Sequence, residues 1–206
     1  MRIAILGGTF DPIHNGHLAA AQSVAEAFQV DEFHLVTAYS PPHKQSRGIT
    51  SVFHRFAMVA LASVPFDRFR TSTIEVDTFE RRYTVETLDA MKQAYPGADL
   101  FFIVGTDMYQ EFETWRNYRR LFELANLVIV NRPGFPFRED IAPFKVLNEK
   151  QTVTLPTEGA SVFYLPFVEQ PISSTDIRDE RKRGERVSHL LPPAVWSYIE
   201  KNKLYS

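Results

Sequence analysis

The opening of the chain limits the fold more than any other stretch. Residues 3–6 are Ile-Ala-Ile-Leu, an unbroken apolar run, and Gly7 and Gly8 follow at once. A strand with no polar alternate residue has both faces covered, the condition of a strand inside a parallel sheet flanked by helices. The glycines let the backbone turn and approach a ligand with no Cβ in the way, and Asp11-Pro12 marks a loop. From Gly16 onward Leu18, Ala21, Ala25 and Phe28 recur at helical spacing. A helix starting there aims its unpaired N–H groups and the positive end of its dipole at the glycine loop. The junction is an anion site in outline.

The rest of the chain repeats strand and helix, which implies a parallel sheet. Residues 32–37 predict a second strand, and residues 39–48, with a proline pair, a long loop. Phe53, Phe56, Ala60 and Val64 fit one face of a helix ending at Pro65. Residues 69–76 alternate like a strand, and a helix from about Thr84 to Tyr95 is closed by Pro96-Gly97. Residues 100–105 form a second fully apolar strand, followed by a helical segment through Leu124 and a buried strand over 127–130. Residues 135–160 show no period and read as an excursion on the same domain. A strand resumes over 162–165, a helix starts at Ser173 and ends near Gly184, and a terminal helix runs from Pro193 to Lys201. The expected fold is α/β, a Rossmann-like doubly wound parallel sheet with helices on both faces. It forms one domain over 1–206, with the helical part from about 173 packed on it. Right-handed crossovers put the strand-to-helix loops on one edge of the sheet. The glycine loop, residues 40–47, Asp107, Arg132 and Ser173 therefore converge.

Composition narrows the function classes. With 206 residues, 44% of them apolar or aromatic, the chain can bury one substantial core. A formal charge of −2 argues against a broad nucleic-acid footprint. Absence of cysteine excludes disulfides and thiol catalysis and is compatible with a cytosolic enzyme. No cleavable signal or membrane-length apolar run is visible, so a soluble cytoplasmic protein is expected, with no membrane partner.

Several residues have both a plain and a chemical reading. His14 and His17, three apart, are neighbours at the helix start and can reach one phosphate. Pro42-His43-Lys44 suits a solvated loop as well as a ligand contact. Asp107 suits a helix cap or a ligand contact at the end of a core strand. Trp115 suits packing onto the sheet or stacking on a heteroaromatic ring. Ser173 or Ser174 is a sound N-cap, and Asp176 suits the positive helix end. Arg178 is less ordinary: a cation in an early turn opposes the dipole, and helix side chains lean toward the N-terminus. Its guanidinium is thus directed at the place where an anion would settle, and a triphosphate would remove the conflict.

The stretch from Gly7 through Thr9, Phe10, Asp11 and His14 to His17 resembles the signature of the nucleotidylyltransferase superfamily, and most closely the bacterial nicotinate-nucleotide adenylyltransferases. The similarity extends along the chain in the family's order. It takes in residues 41–44, Tyr83-Thr84 with residues 86–88, Gly105-Thr106-Asp107, Thr114-Trp115, residues 131–134, residues 172–175 with Ile177-Arg178, and Leu191-Pro192 with Val195, Tyr198 and Ile199. The resemblance implies adenylyl transfer from ATP to nicotinate mononucleotide, an NAD-biosynthetic step releasing pyrophosphate. It places ATP on Gly7, Gly8, Thr9, Phe10, His17, Gly105, Asp107, Arg132, Ser173, Ser174, Thr175 and Arg178. It places the nicotinate nucleotide on Asp11, His43, Lys44, Thr84, Trp115 and the amide of Arg116. Arg116 stands where relatives carry an aromatic residue or histidine, so its side chain inherits no role.

That chemistry suits what the chain lacks. A phosphate monoester, with a second pKa of roughly 6, already carries its attacking charge at neutral pH and needs no strong base. What remains is holding two anions in line and stabilising charge on the α-phosphate and leaving pyrophosphate. His14, His17, Lys44 and Arg178 are the expected catalytic group. Mg2+ is expected to arrive with ATP, since no carboxylates are spaced as a metal cage. Two readings stay beside this one: a nicotinamide mononucleotide or pantetheine phosphate adenylyltransferase, and a nucleotide-binding sensor without turnover.

Overall fold

A computed structural model of the chain describes residues 1–40, 48–78, 80, 82–148, 153, 161–166 and 171–206. In chain order the elements are β1 (Arg2–Gly8), α1 (Asn15–Phe28), β2 (Glu32–Thr37), α2 (Val52–Ser63), β3 (Phe69–Ser72), α3 (Thr84–Ala94) and β4 (Asp99–Gly105). There follow a single-turn helix α4 (Thr106–Tyr109), a 3-10 turn (Phe112–Thr114), α5 (Tyr118–Leu124), β5 (Asn126–Val130), β6 (Phe144–Val146) and β7 (Val162–Leu165). The last elements are α6 (Ser174–Lys182), a 3-10 turn (Ser188–Leu190) and α7 (Pro193–Lys201).

The strands form one sheet in the order β3-β2-β1-β4-β5-β7-β6, and every pairing is parallel. β1 lies between β2 and β4, with Ile3 opposite both Glu32 and Leu100. The strand order reverses between β1 and β4, and ligands of doubly wound sheets bind outside the carboxyl ends at that reversal. There the chain places Gly7-Gly8 on one strand and Gly105 on the other.

The unbroken apolar run of β1 serves two cores. Ala4 belongs to a cluster with Leu18, Phe28, Met58, Ile177 and Val195, from α1, α2, α6 and α7. Ile3 and Ile5 belong to a second cluster with Val85, Leu88 and Leu121, from α3 and α5. Alternate side chains of one strand thus point to opposite helical layers, as the expected architecture requires. Each large apolar side chain buried in this way contributes about 1.5–3 kcal/mol.

Four details depart from the sequence reading. The face Phe53, Phe56, Ala60 and Val64 is not the buried one: Phe53 is 60% exposed and Val64 77% exposed. α2 instead buries Val52, Arg55, Met58, Val59, Ala62 and Ser63. The helix is apolar on nearly every side, so spacing alone did not select a face, and a buried arginine lies where no apolar pattern looks. The third strand stops at Ser72, because the amides of Val76 and Asp77 both turn back to the Thr73 carbonyl. The segment after Gly105 is broken in the middle, with Asn117 in the left-handed region at φ 52°. Finally, the unreadable excursion carries β6, which extends the sheet at its edge. Among the described residues no helix is long and apolar enough to cross a membrane.

Candidate active site

The loop after β1 is held from beneath and from both sides. Gly8 is tightly approached, since a Cβ there would lie 3.0 Å from the Phe10 ring and the ring would have to give way; a Cβ on Gly7 would meet only Phe102 at 3.9 Å. Phe10 is buried with φ 49°, and its ring meets His17 edge-on at 5.1 Å. The Asp11–Pro12 peptide bond is cis. Asp11, expected from the resemblance to meet the nicotinate nucleotide, is 3% exposed with its carboxylate turned inward, where it accepts from the Tyr205 hydroxyl at 2.7 Å and the Thr50 amide at 3.3 Å.

His14 and His17 cap α1 reciprocally. Nδ1 of His14 accepts from the His17 amide and Nδ1 of His17 from the His14 amide, each at 3.3 Å. The rings stack with centroids 3.7 Å apart. With each Nδ1 used as an acceptor, a neutral ring carries its hydrogen on Nε2, so both imidazoles are tautomers that donate from the far nitrogen. Burial, reinforced by the charge of Arg132, pushes His14 down from 6.5 to about 3. It is thus a neutral hydrogen-bond donor at physiological pH rather than a cation.

α6 closes over the same loop. Ser173 is the N-cap and accepts from the Thr175 amide at 3.2 Å. Ser174 donates its hydroxyl to the Pro12 carbonyl at 2.9 Å. Arg178 donates Nη1 to the Asp11 carbonyl at 2.7 Å and to the Ser174 carbonyl at 3.1 Å, while Nη2 reaches the Thr175 hydroxyl at 3.3 Å. Its Nε–H and one Nη2 hydrogen have no partner among the described residues. Arg178 therefore sits on the carbonyl of Asp11, three residues before the histidine that stacks on His17.

The ends of β4 and β5 are locked together. Thr106 accepts from the Arg132 amide at 2.9 Å, and Arg132 pairs with Asp107 at 2.6 Å. A Cβ on Gly105 would run into the Asp107 carboxylate, the free end of a flexible side chain that would have to swing aside. Gly105, not Asp107, is the helix cap. The charge of Arg132 is within electrostatic range of His14.

On the other helical layer, α3 begins at Thr84, where Glu86 accepts from the Tyr83 amide at 3.0 Å. Arg116 pairs with Glu86 at 3.2 Å and lies over the Tyr83 ring at 4.8 Å, which fastens the Trp115–Arg116 segment to the start of α3. Trp115 is half-buried against Phe102 and Phe112, and its indole N–H is buried with no partner among the described residues. The Thr84 hydroxyl and the Arg116 amide have no hydrogen-bond partner among the described residues. His43 and Lys44 lie outside the described residues. On either side of residues 41–47, the carbonyls of Ala38, Tyr39 and Thr50 all accept from Arg55.

Arg55 and Tyr205 were not anticipated. Arg55 is 1% exposed, donates to four carbonyls including Thr9 at 2.6 Å, and is made less basic by burial. Its signal was present, an arginine inside an otherwise apolar helical stretch. Tyr205 carried none, because its contact with Asp11 spans nearly the whole chain.

Residues 5–180 match the cytidylyltransferase-like family. A probable nicotinate-nucleotide adenylyltransferase of Frankia casuarinae is 40% identical over 200 residues, covering 97% of this chain and 98% of that protein. Its counterpart in Geobacter sulfurreducens is 36% identical over 213 residues, covering 100% and 99%. Among solved structures, nicotinic acid mononucleotide adenylyltransferase of Plasmodium falciparum complexed with NaAD shares the fold. It superposes with a TM-score of 0.77 at 20% identity over 99% of this chain and 97% of that one. Full-length identity at this level, on a sheet whose switch point carries the paired histidines, assigns the chain to the cytidylyltransferase-like family and within it to the nicotinate-nucleotide adenylyltransferases.

Proposed function

We propose that the protein transfers the adenylyl group of ATP to nicotinate mononucleotide, giving nicotinate adenine dinucleotide and pyrophosphate. The observation that carries this is the meeting of α6 with the glycine–histidine loop, where Arg178 on the Asp11 carbonyl and the stacked His14 and His17 surround one rim of the sheet. A phosphate oxygen of the nucleotide attacks the α-phosphorus of ATP, the bond to the β-bridging oxygen breaks, and pyrophosphate leaves with that electron pair. The Nε2 hydrogens of His14 and His17 meet the charge growing on the α-phosphate, and the unengaged donors of Arg178 meet the β- and γ-phosphates. Lys44 is the remaining cation expected to add its charge to this group. The start of α6 and the end of β4 hold the rest of ATP.

Mg2+ belongs to the substrate in this scheme. The described residues hold no group of three or more histidine, cysteine, aspartate or glutamate side chains able to cage a metal. The donor set instead suits a polyphosphate that brings its own ion. For the acceptor, the Trp115 ring supplies the surface for the pyridine, and the Thr84 hydroxyl with the Arg116 amide supplies two donors for a carboxylate. A cytoplasmic setting accords with a chain lacking cysteine.

The test is pyrophosphate release from ATP with nicotinate mononucleotide, nicotinamide mononucleotide and phosphopantetheine offered separately. Release with the first, and at least tenfold less with the others, is expected. Preference for either rival would reassign the acceptor, and ATP binding without release would make the protein a sensor.

A further inference from the structure

We propose that Tyr205 is a positioning residue for ATP: its hydroxyl holds the Asp11 carboxylate, and Asp11 in turn fixes where the Arg178 guanidinium lies. The proposal rests on the adenylyl-transfer reading for the role of Arg178, while its geometry stands apart from that reading.

The tail beyond α7 does not trail away. The amides of Lys203 and Leu204 turn back to the carbonyls of Glu200 and Ile199, and Lys203 and Tyr205 both take left-handed backbone, at φ 52° and 62°. Non-glycine residues adopt that conformation when surrounding contacts require it. Those contacts are present: Leu204 and Tyr205 pack against the core cluster shared by α1, α2 and α7. The reversal delivers the Tyr205 hydroxyl to Asp11 Oδ1 at 2.7 Å, the length of a charge-assisted bond.

The recipient is unusual. A carboxylate only 3% exposed has to be satisfied inside the protein. Besides Tyr205 it has the longer bond from the Thr50 amide at 3.3 Å and the nearby charge of Arg55. Burial and the charge of Asp11 together push the Tyr205 phenol upward, so it stays protonated and keeps donating. The hydroxyl also bonds the Thr50 side chain and is within electrostatic range of Arg178, whose Nη1 sits on the carbonyl of the same Asp11. Both ends of Asp11 are thus held, the carboxylate by the tail and the carbonyl by the cation proposed to meet the triphosphate. Of the three groups that hold Arg178, the Asp11 carbonyl is the one outside its own helix, so a shift of Asp11 changes where the guanidinium is anchored. The Trp115 side of the rim is fastened separately, through Glu86 and Tyr83.

The experiment compares the full-length protein with Tyr205→Phe, which keeps the ring and deletes one hydroxyl. Pyrophosphate release is measured against ATP and against nicotinate mononucleotide in turn, and ATP affinity is measured directly by calorimetry without acceptor. Loss of one bond to a charged group should raise the KM and Kd for ATP roughly tenfold, with the KM for nicotinate mononucleotide within about twofold. In an Arg178→Lys background the same substitution should change ATP affinity by less than about twofold, since the group it positions is already altered. Asp11→Asn, which keeps an oxygen acceptor, is the second variant and should weaken ATP by a smaller factor, about threefold. Unchanged ATP affinity in Tyr205→Phe, an equal shift for both substrates, or an undiminished effect beside Arg178→Lys would overturn the proposal. If the wild type binds ATP but releases no pyrophosphate with nicotinate mononucleotide, the acceptor reading fails while the calorimetry still decides on Tyr205.

Discussion

Arg55 on α2 donates to the carbonyl of Thr9, 46 residues earlier, at 2.6 Å. The same guanidinium bonds the carbonyls of Ala38, Tyr39 and Thr50, so one buried side chain ties the glycine loop to the described residues on either side of 41–47. A fork with donors on three nitrogens suits this task, and an ammonium does not. Arg55→Met should leave these carbonyls without their donor and cost about 3 kcal/mol, lowering Tm by roughly 6–12 °C for a chain of this size. Calorimetry with and without ATP checks it. A Tm within 2 °C of wild type would show that the carbonyls find other donors, with about 0.5–1 kcal/mol then lost.

His17 is placed to donate to the α-phosphate, and His17→Ala should lower kcat by roughly 10²–10³, as removal of a transition-state donor does. Steady-state release of pyrophosphate measures it. Near-normal turnover would take His17 out of the chemistry.

His14 sets a pH dependence of stability. Its ring is held neutral in the folded state down to about 3, whereas the unfolded ring titrates near 6.5. Between those values the unfolded chain binds more protons, so the contribution is full above 6.5 and is lost as pH falls toward 3, by up to about 1.4 kcal/mol per pH unit. His14→Asn keeps a capping acceptor and removes the titration. Urea midpoints at pH 7, 5.5 and 4.5 should therefore fall more steeply for the wild type than for the variant. Parallel curves would mean that His14 is protonated in the folded protein.

Gly105 and Asp107 should be coupled. A methyl group on Gly105 would displace the Asp107 carboxylate and release Arg132, which it pairs with at 2.6 Å. Gly105→Ala alone should destabilise by about 1 kcal/mol at most, because the carboxylate can swing aside and the pair it leaves is partly exposed. With Asp107→Ala already in place the same change should cost well under half as much. Unfolding of the four proteins of the cycle gives the interaction directly, and additive losses would place the clash elsewhere.

What could be read before folding was local or periodic. The β1 run, its glycines and the histidine spacing lie within the first 17 residues, and α6 announced itself by its cap and by Arg178 working against the dipole. The α2 face could not be read, because a helix apolar on nearly all sides has no preferred face until it meets a partner. Asn117 gave no warning, since an asparagine in a helix-like composition shows its left-handed backbone only when the turn around Trp115 is built. The contacts of Arg55 with Thr9 and of Tyr205 with Asp11 are tertiary, and no window of sequence contains both partners.

Arg116 offers the last test, on acceptor choice. Its side chain is committed to Glu86 and to the Tyr83 ring, while its amide has no partner among the described residues. If the amide and the Thr84 hydroxyl receive the carboxylate of nicotinate, the guanidinium serves by holding the segment still. The ion pair is exposed on both sides, so Arg116→Ala should leave Tm within about 2 °C. The KM for nicotinate mononucleotide should rise several-fold, through a looser site, with kcat little changed. Thr84→Val, which keeps the shape and removes the hydroxyl, should reduce kcat/KM for nicotinate more than for nicotinamide mononucleotide, because only the acid loses a bond to a charged group. Specificity ratios from the two substrates in the same assay measure this. An unchanged ratio in Thr84→Val would place the carboxylate away from α3 and require another donor pair to recognise it.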